Sequence, residues 1–300
     1  MGKVMRRLLV VVLSLMPSFF LQAQLIEEIE EGVRLGAVPL EIQPPISDVV
    51  RPLLEVMCPG RVIRNSYSLL GCDSTAPEPG NDNWRPPNYV DGILFGHYLS
   101  PESEDVILSG SRHEGHPSQW GGTLLMTQQD GEWRPVWYRS DIITRHCMKV
   151  ATSTGREMLV CELGIGGMGH TQHALYSLDL QADNPVQELL IATDTYDQVS
   201  EKQTQTVDSV RLIATADGPL LRVDMHHARS ECHKEWYECG ENDFVAADPA
   251  PGEYNLDFVL QGSRLVISPA SAAVFNRLFP ELAKYLPDGI ISNGQRPSPH

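Results

Sequence analysis

The chain has 300 residues, with 23 Lys and Arg against 39 Asp and Glu, a formal net charge of −16. A surface this acidic repels phosphate backbones and anionic lipid surfaces, which argues against nucleic-acid and peripheral-membrane partners. The length suffices for one large domain with its own core.

Residues 1–23 read as a secretory signal peptide. Lys3, Arg6 and Arg7 form a basic opening, Leu8 to Leu21 is an apolar run broken by Pro17, and Gln22-Ala23-Gln24 offers a small residue at a cleavage point. The apolar run is shorter than the ~20 residues of a membrane span, and a retained anchor is the alternative. With these residues removed, 20 Lys and Arg face 39 Asp and Glu, a net of −19. The chain is expected to be secreted or periplasmic.

Residues 24–89 read as a helical and irregular segment. Leu25 to Val33 fits a short amphipathic helix with acidic first turns. Pro39, Pro44 and Pro45 interrupt it. Ser47-Asp48 then caps a second helix over Val49–Met57, with Pro52 in its first turn, and Cys58-Pro59-Gly60 stops it. Ala76 to Tyr89, with four prolines, is an irregular connector.

Residues 90–268 read as a β core. Ile93–Leu99, Val106–Ser111, Thr123–Thr127, Trp133–Tyr138 and Val186–Thr193 are strand-like runs, and Gln128-Gln129-Asp130-Gly131 is a hairpin turn by the Asp-Gly rule. Trp133 and Trp137 are an even number apart and are expected on one strand face, in the core or as a sugar-stacking platform. The chain is organised around Cys147–Leu180. Val150-Ala151-Thr152 and Met158-Leu159-Val160 flank Ser153-Thr154-Gly155, a hairpin signal. Cys147 and Cys161 each stand seven residues from Thr154, so an antiparallel pair places them directly opposite, where a disulfide fits. Closing such a loop contributes about 3 kcal/mol on the chain-entropy model. Gly164 to Gly169 reads as a glycine-rich crossover, and Ala174, Tyr176, Leu178 and Leu180 share one face of the strand after it.

The hairpin recurs. Val150–Gly155 aligns with Ile213–Gly218 at an offset of 63, and Val160 with Val223. Phe258–Ile267 is a further hairpin, and Ile93–Phe95 with Val106–Leu108 an earlier one. Four strands recurring at roughly 50 residues is the pattern of propeller blades. The expected fold is therefore mainly β, with repeated antiparallel four-stranded units in a β-propeller-like arrangement. A β-sandwich or barrel is the alternative. Residues 269–300 close the chain with an amphipathic helix, Ser271–Leu286, kinked or split at Pro280 and bearing a Val274, Leu278, Leu282, Leu286 stripe, followed by a frayed tail.

The six cysteines fall in sequence-local pairs, Cys58–Cys72, Cys147–Cys161 and Cys232–Cys239, expected as three disulfides in an oxidising compartment. Six cysteines permit 15 connectivities, and spacing alone argues strongly only for the middle pair. Without a CxxC, a thioredoxin-like centre or a zinc ribbon is disfavoured.

No sequence motif names an activity. There is no GxSxG elbow, P-loop or HExxH. Gly164-Ile165-Gly166-Gly167-Met168-Gly169 spells GxGxxG, but a strand-like run follows where the dinucleotide fingerprint needs a helix. Asp141, Glu162 and Asp194 are carboxylates that nothing pairs into a glycosidase site. The histidines are the candidates for a site: His113 and His116 around Glu114-Gly115, His170 and His173 after the glycine run, and His226 and His227. In a propeller the first two pairs would converge at one mouth and suit zinc, copper or iron. The alternative is scattered surface or hydrogen-bonded histidines, with no cofactor. Two functions follow. One is a non-enzymatic protein that binds a small molecule, glycan or protein through its loops. The other is a metal-dependent enzyme using His113, His116, His170 and His173.

Overall fold

The computed structural model describes Val38 and residues 47–64, 69–73, 89–111, 122–139, 142, 144, 146–167, 170–182, 185–197, 201–234 and 238–283. These belong to one compact unit, Val33–His300; the expected signal peptide and Leu25–Val33 helix, most of the proline-rich connector, Leu286 and the C-terminal tail lie outside the described residues.

The fold is mainly β, with antiparallel sheets and few helices. Helix α1 (Ser47–Met57) starts at the expected Ser-Asp and carries Pro52 inside it. A short hairpin follows, β1 (Val62–Arg64) with β2 (Leu70–Cys72), which the sequence reading did not anticipate. A disulfide joins Cys58, at the end of α1, to Cys72.

Three four-stranded antiparallel meanders make up the rest. The first is β3 (Tyr89–Gly96), β4 (Asp105–Ser111), β5 (Gly122–Gln129) and β6 (Glu132–Arg139), paired in that order. Its β3–β4 register opposes Ile93 to Leu108, Leu94 to Ile107 and Phe95 to Val106, as the hairpin pattern required. At the β5–β6 turn Asp130 and Gly131 both have positive φ, 53° and 79°, which is why Asp-Gly serves there.

The second is β7 (Cys147–Ala151), β8 (Glu157–Gly167), β9 (His170–Leu178) and β10 (Val186–Asp197). The third is β11 (Glu201–Thr215), β12 (Gly218–Glu231), β14 (Gly252–Gln261) and β15 (Arg264–Ile267), with β13 (Val245–Ala246) pairing the far end of β12. Among the described residues, the ladder between the second and third is confined to Tyr196 and Asp197 of β10 with Gln203 and Lys202 of β11. The hairpins aligned by sequence both end on a glycine of positive φ, Gly155 at 83° and Gly218 at 114°. Neither a closed propeller nor a closed barrel is formed among the described residues.

The meanders pack face to face. α1 and the β1–β2 hairpin cover one face of the first sheet through Val50, Leu53, Leu54, Val90, Val106, Leu124 and Met126. Its other face meets the second sheet through Leu94, Ile107, Leu125, Leu159, Tyr176 and Leu178. The opposite face of the second sheet meets the third through Val150, Val160, Leu175, Val207, Val223 and Phe258. Helix α2 (Pro269–Leu278), capped by Ser268, adds Phe275, Leu278 and Phe279 to that core. The helix ends at Phe279, and Pro280 opens the short α3 (Pro280–Ala283), so the expected break at Pro280 is present.

Two expectations are corrected. The ladder of β5 and β6 slips between Leu125 and Met126, leaving Val136 as an extra residue. That bulge reverses the alternation, so Trp133 packs on the α1 side and Trp137 on the second sheet. They share no platform. The glycines are no crossover either: Gly164 to Gly167 are ladder residues of β8, paired to His173, Gln172, Thr171 and His170 of β9. A strand, not a helix, follows them, which removes the dinucleotide reading.

The central hairpin has the register read from its sequence. Cys147 opposes Cys161 and is bonded to it, with 4.0 Å between their Cα atoms. Its tip docks on the segment after β3. Arg156 Nη1 donates to the Tyr98 carbonyl (3.1 Å) and pairs with Asp179 (3.0 Å), and Gln181 Nε2 donates to the Leu99 carbonyl. Burial would raise the Asp179 pKa, but hydrogen bonds from Arg156, Ser263 and the Gln181 N–H outweigh it and hold the carboxyl below its usual range. The segment it docks on is folded around Asp105, whose Oδ2 accepts from the Tyr98 and Leu99 N–H groups (2.7 and 2.8 Å) and from Ser103 Oγ (2.5 Å).

Replacing Cys147 and Cys161 together by Ser is expected to leave a folded protein destabilised by about 2–3 kcal/mol, a drop of several degrees in Tm. Gly155→Ala is expected to cost about 1 kcal/mol or more on its own, since φ is +83° and a Cβ would sit 3.3 Å from Pro101. Thermal unfolding without reductant checks both, and an unchanged Tm for the double variant would refute the bonded register.

Candidate functional site

The chemistry-bearing side chains that the described fold brings inside lie between the second and third sheets. On β8, Glu162 follows Met158 and Val160 on the inner face; on β9, His173 shares a face with Leu175. Neighbouring strands bring them together: His173 Nδ1 lies 2.9 Å from Glu162 Oε1. The exposures are 1% and 2%. Nδ1 is the imidazole nitrogen that meets the carboxyl group. The other, Nε2, is buried without a hydrogen-bond partner among the described residues. The Val38 N–H donates to the other oxygen, Glu162 Oε2, at 3.3 Å.

On the third sheet Gln205 of β11 opposes His227 of β12, one step beyond Val207 and Met225 on the inner face. Gln205 Nε2 donates to His227 Nδ1 (3.2 Å) and to the Leu278 carbonyl at the end of α2 (3.3 Å). Tyr254 meets the imidazole edge-on at 6.2 Å. Burial lowers the His227 pKa below its ordinary value; electrostatic interaction with Arg229 and His226 adds to this, and the Pro249 carbonyl opposes it.

An imidazole held by a carboxylate through one nitrogen is the arrangement of a general base or of a metal ligand with its supporting group. At 1% exposure no substrate reaches it in this structure. What the pairs do here is satisfy polar groups at one end of an apolar core and tie β8 to β9, β11 to β12 and α2 to β11.

Of the sequence candidates, His173 stands in this buried pair. His113, His116 and Asp141 lie outside the described residues, and His170 is the first residue of β9, opposite Gly167. His226 and His227 are strand residues of β12 rather than residues following a strand. Asp194 lies on β10. Among the described residues no group of three or more His, Cys, Asp and Glu side chains is arranged to hold a metal ion. Glu162 entered the sequence reading as a carboxylate in search of a second one, and the fold gives it a histidine. Gln205 and the Val38 N–H carried no sequence signal, because an isolated glutamine and a backbone group have no pattern to detect. No protein-family model, curated protein or solved structure matches the chain.

Glu162→Leu removes the acceptor for both His173 Nδ1–H and the Val38 N–H inside the core and is expected to cost about 2–3 kcal/mol. Glu162→Gln keeps an acceptor and is expected to cost less; urea denaturation of both variants measures the difference. His227 supplies a pH dependence. Its folded pKa lies below the unfolded one, so the unfolded chain takes up the proton first as pH falls. The contribution is complete above the ordinary histidine range and is lost below about pH 6.5, at no more than about 1.4 kcal/mol per pH unit. The stability gap between parent and His227→Gln should therefore narrow between neutral and mildly acidic pH, and a constant gap would contradict it.

Proposed function

We propose that the chain is a secreted or periplasmic, non-enzymatic β-repeat protein that binds a small molecule, glycan or protein through its loops. One observation carries this reading. Both inner polar pairs, Glu162–His173 and Gln205–His227, are buried in the core and hydrogen-bonded to each other through one nitrogen of each imidazole. Recognition is then left to connections and edges, the usual seat of binding on a rigid β scaffold. Three disulfides, Cys58–Cys72, Cys147–Cys161 and Cys232–Cys239, suggest an oxidising environment. The basic and apolar opening stretch supports export. Three successive four-stranded meanders packed face to face support a propeller-like repeat, each meander standing for a blade.

A second reading, a metal-dependent enzyme using His113, His116, His170 and His173, is favoured by one feature: the oriented, unpartnered Nε2 of His173.

Elemental analysis and a broad hydrolase and oxidase screen of the purified mature chain, with and without added zinc, copper or iron, separate the two. The binding reading expects no stoichiometric metal, no turnover, and a thermal shift with a member of a small-molecule or glycan panel. Turnover with a stoichiometric metal, lost in His173→Ala, would overturn it. Intact mass is expected to show a chain starting at Gln24 with six thiols oxidised.

A further inference from the structure

We infer that the chain pairs with a second copy of itself through the open edge of β11, over Ser209–Thr215. β12 pairs one side of β11 along its whole length. On the other side the ladder to β10 stops after Gln203 and Lys202, because β10 turns into the second sheet. From Ser209 to Thr215 no backbone partner stands on that side among the described residues. An extended strand directs half of its N–H and C=O groups outward, so this stretch offers a row of donors and acceptors.

Three other edges are blunted. β15 is covered by Gln187 of β10, whose amide donates to the Leu265 carbonyl (2.7 Å) and accepts from the Leu265 N–H (3.3 Å). β6 carries Pro135 and a bulge. β7 is five residues long and presents Lys149. The open stretch of β11, Ser-Val-Arg-Leu-Ile-Ala-Thr, holds neither proline nor glycine and is rich in β-branched residues. Arg211 and Leu212 are exposed, Leu212 at 37%, as are Ala214 and Thr215.

The stretch is complementary to itself. A two-fold axis at Leu212 opposes Leu212 to its copy, Val210 to Ala214, Ser209 to Thr215 and Arg211 to Ile213. On the inner face this makes a continuous apolar row; on the outer face hydroxyl meets hydroxyl and arginine stem meets isoleucine. No like charges oppose each other directly. Arg211 is the only charged residue of the stretch, and its own sheet already neutralises it through Asp224 at 2.6 Å. Two molecules of net charge −16 repel at long range, so the contact must be short-ranged and must tighten with salt.

Sedimentation equilibrium of the purified chain, at loading concentrations up to the order of 100 μM, is expected to show a monomer–dimer equilibrium that tightens as salt is added. Leu212→Lys and Leu212→Glu each place like charges on the axis at an exposed position and are expected to weaken dimerisation at least about tenfold. An equimolar mixture of the two sets opposite charges across the axis and should restore association. In the parent, amide hydrogen exchange within Ser209–Thr215 should slow with rising concentration. A parent that stays monomeric, as it would if the edge served an extended peptide of another protein, overturns the inference. So does a dimer that ignores Leu212→Lys, a mixture no tighter than either variant alone, or concentration-dependent protection elsewhere.

Discussion

The second sheet is buried on both faces, and this constraint orders the molecule. Alternate residues of β7, β8 and β9 belong to different cores: Met148, Val160 and Leu175 face the third sheet, while Cys161, Leu163 and Tyr176 face the first. A slip of one residue would exchange the two sets and wreck both cores at once. The Cys147–Cys161 bond sits directly across the ladder that must not slip. The tip of the same hairpin is pinned by Arg156 to the Tyr98 carbonyl and to Asp179, so the register also fixes where the first sheet lies.

Burial on two faces governs what polar groups can do there. Glu162 and His173 sit on the inner face, where an unpaired charge would be costly, and they meet each other rather than water. On the outer face of the third sheet solvent is available, and the polar residues form cross-strand ion pairs instead: Arg211 with Asp224, and Arg222 as a two-pronged fork on Asp257 at 2.7 and 2.8 Å. Contact with Asp257 and Asp224 holds the Arg222 guanidinium above its already high pKa. The buried Glu162–His173 contact thus lies within one sheet's inner face, while the surface ion pairs run across strands.

What was legible in the sequence was local. The opposition of Cys147 and Cys161, the Asp130-Gly131 turn, the pairing of Ile93–Phe95 with Val106–Leu108 and the break at Pro280 all follow from spacing or from a residue with restricted φ. The errors lie where the ladder departs from a simple pattern. Parity arguments assume an uninterrupted ladder, and the extra residue at Val136 sent Trp133 and Trp137 to opposite faces. Glycines read as a crossover lie in a strand, paired residue for residue with β9. The site was legible only as a set of histidines. That His173 would meet Glu162 depends on the β8–β9 register, which the glycine run concealed.

The contact between Gln187 and β15 bears on the order in which the molecule can be completed. The primary amide of Gln187 can turn an N–H and its C=O toward the same side, and here they meet the C=O and N–H of Leu265 as a neighbouring strand residue would. β15 and α2 also supply Leu265, Ile267, Phe275 and Leu278 to the core shared with the second sheet. A chain emerging amino-terminus first has β10 in hand long before the wall that Gln187 braces. The core between the first and second sheets draws on no described residue beyond Val186, whereas the core between the second and third takes residues from Val207 through Phe279. Gln187 stands at the seam between what the earlier part of the chain completes and what the later part adds.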